Sequence, residues 1–402
     1  MFQRFKILMK IPKQPSISKR MDRTGTETAF EVFAMAKEIE KKGAKVTHFE
    51  MGEPDFDTPE NIKEAARKAL ASGYTHYTPA PGLLELRQAI AEYVSHDFNV
   101  DINPEKEVMV MPGAKPGLFT GILATVNPGD EVIMPNPAFP IYESVVNMVR
   151  GKPVPIPLRE ENDFRLSSAD VKKKVTKKTR LLILNSPHNP CGSSLLKSEV
   201  EELAEIAKKH NLWVMSDEIY SKIIYDGDHH SMLSVPGMKE RTILIHGFSK
   251  TYAMTGWRLG YAIGDSSVIA NMTRLQVNIA SCAAAFSQIA GIEALRGPQD
   301  TVTQMVREYQ KRRGAIVSAL NSMKGISCKT PTGAFYVFPN IKSTGMKSRD
   351  LMLHLLNKAH VAAVHGTAFG KFGEGYLRFS YATSLENIKE GMDRVKAAIE
   401  EL

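Results

Sequence analysis

An α/β fold, in which helices wrap a mainly parallel sheet, is predicted by three features of the 402-residue sequence. Short apolar bursts recur through its middle, amphipathic stretches separate several of them, and reactive polar residues follow the bursts directly. The bursts fall at residues 108–111, 131–134, 181–184, 212–215, 242–245 and 259–263. They are too short for helices and too uniformly apolar for half-exposed strands, so they read as strands buried on both faces. Stretches such as 198–209 carry the period of a helix.

The remaining elements follow in chain order. A helical pattern starts near Thr28, with Phe30, Phe33, Ala34 and Ile39 at three-to-four spacing, and Gly43 closes it. Gly52-Glu53-Pro54-Asp55-Phe56-Asp57-Thr58-Pro59 is a turn-rich loop that opens a helix over 60–71. After residue 300 the character changes. A long charged helix over 305–323, with Arg312 and Arg313 turned to water, precedes short strands at 334–338 and 376–380 and a helix from Glu386 onward. That mixture predicts a smaller α+β domain to which the N-terminal helix returns. The predicted organisation is an extension over 1–20, an arm and part of the small domain over 21–60, a large domain over 61–300 and a small domain over 301–402.

Composition excludes several classes. With 43% hydrophobic and 24% charged residues the chain can bury a sizeable core, unlike a disordered or fibrous one. The formal charge is +8, but Arg4, Lys6, Lys10, Lys13, Lys19 and Arg20 supply six of those charges with no acidic residue among the first 20. This segment lacks the apolar stretch and cleavage site of a secretory signal, although its acid-poor composition is shared with transit peptides; it reads as an extension. The remaining excess of two gives no basis for a nucleic-acid partner. Lys172-Lys173-Lys174 and Lys177-Lys178 read as a solvated face, and the adjacent pair His229-His230 is no metal site. Cys191, Cys282 and Cys328 are too scattered for a disulfide framework, and the natural compartment is the reducing cytoplasm. No apolar run reaches the roughly 18 residues of a membrane span.

The chemistry sits after the strands. Pro112-Gly113-Ala114-Lys115 follows the first, Asn185 to Pro190 another, Ser216-Asp217-Glu218-Ile219-Tyr220 the next, and His246-Gly247-Phe248-Ser249-Lys250 the one after. The carboxyl ends of parallel strands are where open α/β sheets place ligands, so these segments predict one site. Gly113-Ala114-Lys115 before an apolar helix suits a phosphate cradle, although alone it is equally a tight turn. Asp217 and Lys250 end neighbouring strands 33 residues apart. A pyridoxal phosphate site requires that pair: an amine to condense with the aldehyde and a carboxylate to keep the pyridine nitrogen protonated.

Ser249-Lys250-Thr251-Tyr252-Ala253-Met254-Thr255-Gly256-Trp257-Arg258-Leu259-Gly260 resembles the lysine signature of the fold-type I, class I/II pyridoxal phosphate aminotransferases. Gly-Glu-Pro-Asp-Phe at 52–56, the segment from Tyr77 to Arg87, Asn189-Pro190, Asp217 to Tyr220 and Tyr376 to Ser380 match further family blocks in order, over about residues 20–402. The resemblance implies a seven-stranded sheet and a small domain built from both chain ends. It implies that Lys250 forms the internal aldimine and then moves the substrate α-proton, that Asp217 pairs with the pyridinium, and that Tyr220 and Asn189 hydrogen-bond the phenolic oxygen. Gly113, Arg258, Ser249 and the Ala114 and Lys115 amides would hold the phosphate, Phe139 would stack on the ring, and Arg378 would clamp the substrate carboxylate beside Gly52. Tyr77 would reach a phosphate across the subunit boundary of a homodimer.

Gly247, His365, Cys191 and the stretch 276–285 depart from common family patterns without removing a catalytic group. The expected activity is amino transfer between an L-amino acid and 2-oxoglutarate by a ping-pong cycle. Aspartate is the favoured donor, with alanine or an aromatic amino acid as alternatives. A carbon-sulfur lyase, or another eliminating enzyme of the same fold, is the alternative reaction.

Overall fold

The computed structural model describes residues 15–402; Arg4, Lys6, Lys10 and Lys13 of the basic extension lie outside the described residues. Within them are twelve strands: β1 (Thr47–His48), β2 (Val108–Met111), β3 (Glu131–Asn136), β4 (Lys152–Pro157), β5 (Thr179–Asn185), β6 (Trp213–Asp217), β7 (Thr242–Gly247), β8 (Gly260–Ile263), β9 (Tyr336–Val337), β10 (Val361–Ala362), β11 (Val364–His365) and β12 (Leu377–Ser380). Seven form one sheet in the order β2-β8-β7-β6-β5-β3-β4. The pairs from β4 across to β7 are parallel, and β8 runs antiparallel between β7 and β2.

Six of these strands coincide with the apolar bursts. The seventh, β4, has no burst because its sequence is Lys-Pro-Val-Pro-Ile-Pro. It survives as an edge strand because the prolines share one parity. Lys152 and Leu158, of the other parity, donate their amides to Asp130 and Asn136 on the β3 side, so the missing donors face away from the ladder.

Helices flank the sheet, and local chemistry sets their ends. Lys197–His210 starts with Glu199 accepting from the Leu196 amide and stops at Asn211 in the left-handed conformation (φ 50°). The smaller region pairs β1 with β10, and β12 with both β9 and β11, so the segment after helix Thr28–Glu40 is hydrogen-bonded into the C-terminal third of the chain. The Ser380 amide donating to Phe49 O ties the two chain ends further.

Helix Asp300–Asn321 corrects one expectation. Arg312 and Arg313 do not face water: they are buried, Arg312 against Asp55 (2.7 Å) and Glu308 (3.1 Å) and over the Phe56 ring, Arg313 against Asp226 and the Pro331 carbonyl (2.8 Å). The loop after Gly52 covers this helix and supplies partners that no helical pattern announces. The Lys172–Lys174 run is exposed, and His229 pairs with the buried Glu218 at 2.7 Å.

Candidate active site

Parallel pairing places the strand ends side by side. Asn185 of β5 is in register with Asp217 of β6, and Asp217 with Ile245 of β7. The Asn185 side-chain Nδ2 donates to the Asp217 carbonyl (3.0 Å) and its Oδ1 accepts from the Asn189 backbone amide (2.9 Å), which fixes the loop carrying Asn189. These ends form the floor of a cavity of about 430 Å³, within the range of small-molecule sites. Lys250, Asp217, Tyr220, Ser249, Asn189, Arg258, Arg378, Phe139, Ala114, Lys115 and Gly52 line it.

Asp217 is 5% exposed. Burial pushes its carboxyl up to about 6, against the Tyr142 hydroxyl that donates to it at 2.6 Å and the Ile219 amide. Such a carboxylate, short of positive partners, suits a cationic ring nitrogen. Lys250 donates to the Gly52 carbonyl at 2.5 Å, and burial lowers its ammonium to about 8, with Lys115, Arg258 and Arg378 adding repulsion. A free amine is therefore within reach near neutrality.

The anion-binding wall is built by close approach. Gly113 holds a backbone (φ +90°) that favours glycine, and a Cβ there would lie 2.3 Å from Arg258 Nη2 and displace the guanidinium. Gly260 brings β8 against the Gly113-Ala114 backbone, where a Cβ would meet the Ala114 nitrogen at 2.6 Å. Arg258 itself holds a left-handed backbone (φ 50°), strain of about 1 kcal/mol or more that the surrounding loop must sustain, and donates to the Thr255 carbonyl at 2.8 Å. Gly247, one of the departures, is the register partner of Gly260, and a Cβ on it would lie 3.0 Å from the Gly260 Cα, a tight contact that a side chain there would relieve by a small backbone shift.

Arg378, on β12, is buried between the Tyr336 and Phe369 rings at 4.7 and 5.0 Å. It donates to the Glu50 carbonyl and to Asn189 Oδ1 (3.3 Å), and its Nε has no partner among the described residues. That unspent donor in a planar fork suits a carboxylate.

Several lining residues had no role assigned to them by the sequence reading, among them Tyr142, Tyr336, Asn185 and Glu27. Tyr142 holds Asp217 from the segment that carries Phe139. Tyr336 pairs its hydroxyl with that of Tyr220 at 2.7 Å and would meet a Cβ at Gly52 at 2.0 Å. Asn185 stands at the start of a segment already singled out. Glu27 pairs with the Lys115 side chain, and no local signal announces it. Tyr77 is 90% exposed and lies apart from this cavity, beside a second hollow with Tyr74 and Cys282.

Comparison with known proteins places this geometry. Residues 44–395 match the model of the aminotransferase class I and II family. The chain is 48% identical over 354 residues to the aspartate aminotransferase of Pyrococcus abyssi, covering 87% of this chain and 91% of the relative. It is 42% identical to aromatic-amino-acid aminotransferase 2 of Thermococcus litoralis, over 96% of this chain and 99% of the relative. The crystal structure of the aromatic aminotransferase from Pyrococcus horikoshii OT3 superposes with a TM-score of 0.87 at 45% identity, covering 91% of this chain and 99% of that one. The chain therefore belongs to the class I and II aminotransferases, a family of pyridoxal phosphate enzymes, and is a transaminase.

Proposed function

We propose that this transaminase moves an amino group between an L-amino acid and 2-oxoglutarate, giving glutamate and a 2-oxo acid in two half-reactions at one site, with pyridoxal 5'-phosphate held in the cavity. The observation that carries this reading is the convergence of Lys250, Asp217, Arg258 and Arg378 on one hollow. The residues present fit the cofactor: a buried carboxylate on the floor, a glycine cradle with a guanidinium and a helix N-terminus, and an amine of lowered pKa. When bound, the cofactor supplies an electron-accepting ring that stabilises charge at the substrate α-carbon.

The chain's own groups do the rest. Lys250 would anchor the cofactor and, as a free amine, would carry the α-proton away and return it. Asp217 would keep the ring nitrogen protonated, with Tyr142 keeping its carboxylate in place. Tyr220 and Asn189 would donate to the phenolic oxygen, with Tyr336 orienting Tyr220. Gly113, Arg258, Ser249 and the Ala114 and Lys115 amides would hold the phosphate, and Phe139 would stack on the ring. Arg378 clamps the α-carboxylate, and the bare Gly52 leaves space for it.

Aspartate is the donor the sequence favours, and aromatic amino acids follow, since relatives carry both names. Tyr77, exposed here, would complete the phosphate site of a second copy, which makes the working unit a homodimer. The free cysteines fit a cytoplasmic setting, and among the described residues no helix is long and apolar enough to cross a membrane. The test is half-transamination: an amino donor should convert the aldehyde form of the bound cofactor to the amine form, and 2-oxoglutarate should return it. Elimination products without that interconversion would overturn the reading.

A further inference from the structure

The strand ends that form the cavity floor carry a second polar cluster on the opposite face of the sheet, for which the reaction gives no role. Side chains alternate along a strand, so Asp217 faces the cavity while Ser216 and Glu218, one residue to either side, face away from it. Residues in register share a face, which adds His246 of β7 and its partner Tyr261 of β8, whose rings stack at 5.2 Å. Glu218 is 1% exposed. Its carboxylate accepts from Ser216 Oγ (2.7 Å), Ser231 Oγ (2.9 Å), the Met232 amide (3.3 Å) and His229 Nε2 (2.7 Å). Burial pushes this carboxyl up, and His229, Ser216 and Ser231 more than reverse that, so it is held below the ordinary carboxylate value.

Glu218 is also the backbone junction of the turn that delivers Tyr220. Its amide donates to the Ile245 carbonyl (3.0 Å), and its carbonyl accepts from the Ser221 amide (2.9 Å). The Ser221 hydroxyl lies 2.7 Å from His246 Nε2, and the Gly247 amide donates to His246 Nδ1 (2.7 Å), so the ring proton sits on Nε2 and is given to Ser221. Burial lowers this imidazole to about 4, which keeps it neutral and in that tautomer near neutral pH. The turn is thus held from behind at two points. Each cavity-facing group, Asp217 and Tyr220, directly precedes a tethered residue, Glu218 and Ser221.

A buried charged pair often contributes no more stability than a well-packed apolar filling, whereas a misplacement of about 1 Å at reacting groups costs about 10²-fold in rate. We propose that Glu218 is a positioning residue: gripped by His229, Ser216 and Ser231, it fixes from the back of the sheet the directions in which Asp217 meets the ring nitrogen and Tyr220 the phenolic oxygen. It touches neither cofactor nor substrate. This rests on the transamination reading above, which gives Asp217 and Tyr220 those roles.

The test compares holoenzymes of the wild type, of Glu218→Gln, which keeps the shape and removes the charge, and of Ser231→Ala, whose lost hydroxyl donates only to Glu218. The near-visible band of the anchored cofactor is first titrated with pH in the absence of substrate. A donor on the phenolic oxygen draws charge from it and lets the linked nitrogen lose its proton at lower pH. A loosened Tyr220 should therefore move the transition up, by about half a unit or more in Glu218→Gln and by less in Ser231→Ala. Loss of the buried negative charge alone would move it down, so the direction separates positioning from a field effect. In Glu218→Gln, kcat should fall about tenfold with KM changed less than about twofold, and the cofactor-free protein should bind pyridoxal phosphate several-fold more weakly. A lowered urea midpoint with kcat and the band transition at wild-type values, or a transition moved down, overturns the proposal. Should Glu218→Gln fail to fold, Ser231→Ala decides by the same readings. If no amino donor converts the wild-type cofactor, the transamination reading fails, and the band titration, which needs no donor, still decides the role of Glu218.

Discussion

Asp217, Asn185 and Lys250 stand at the ends of strands that are hydrogen-bonded to neighbours on both sides, whereas Glu27, Gly52 and Arg378 reach the same cavity from the two chain ends. The floor inherits its geometry from the ladder: once β5, β6 and β7 are in register, the side chains at their ends cannot separate. The rim is assembled from segments 88 to 328 residues apart, tied by contacts such as Glu27 to Lys115 and Arg378 to the Glu50 carbonyl. A floor of this kind suits chemistry that must be the same for every substrate; a rim of this kind can vary with the substrate.

That contrast predicts a gradient of damage. At the floor, Lys250→Ala should lower turnover by about 10³-fold or more and abolish the near-visible band of the anchored cofactor, read by spectrum and donor assay. Turnover that survived would break the comparison outright. Asp217→Asn should follow with a loss of about 10²-fold in kcat, since a preorganised charge is removed from a buried site.

The same substitution carries a pH signature in the cofactor-free protein. The Asp217 carboxyl is raised from 3.8 to about 6 by burial, so the folded state binds more protons than the unfolded one across that window. Stability should therefore fall as pH rises from about 4 through 6, and Asp217→Asn should remove that part of the slope, measured by urea unfolding at several pH values.

On the rim, Arg378→Lys should raise KM for amino acids about tenfold or more with a smaller change in kcat, because an ammonium cannot reproduce the bidentate fork. The smallest effect is expected from Tyr336→Phe. Losing one neutral hydrogen bond to Tyr220 should cost about 1 kcal/mol, a few-fold in kcat, and should sharpen where floor ends and rim begins. A loss as large as that of Asp217→Asn would place Tyr336 in the floor.

The floor was also the legible part. Apolar bursts marked six strands, and the polar residues directly after them marked the site, because strand register converts sequence position into spatial position. β4 stayed hidden: its prolines contradict strand propensity, and only its place at the sheet edge makes them harmless. Arg312 and Arg313 were misread for a related reason. A helical pattern defaults charge to the outside, and the partners that bury them, Asp55 and Phe56 for Arg312 and Asp226 for Arg313, come from far along the chain.

By itself the sequence determined the fold class and the order of the strands that apolar bursts mark, and it pointed to Asp217 and Lys250 because each follows such a burst; Arg258 and Arg378 came from the family resemblance alone. Only the tertiary structure decided that Gly247 packs closely against Gly260, that Tyr142 and Tyr336 support Asp217 and Tyr220, and that Glu27 pairs with Lys115. Those facts depend on distances between segments that no local pattern encodes, because close packing and charge pairing act through space rather than along the chain.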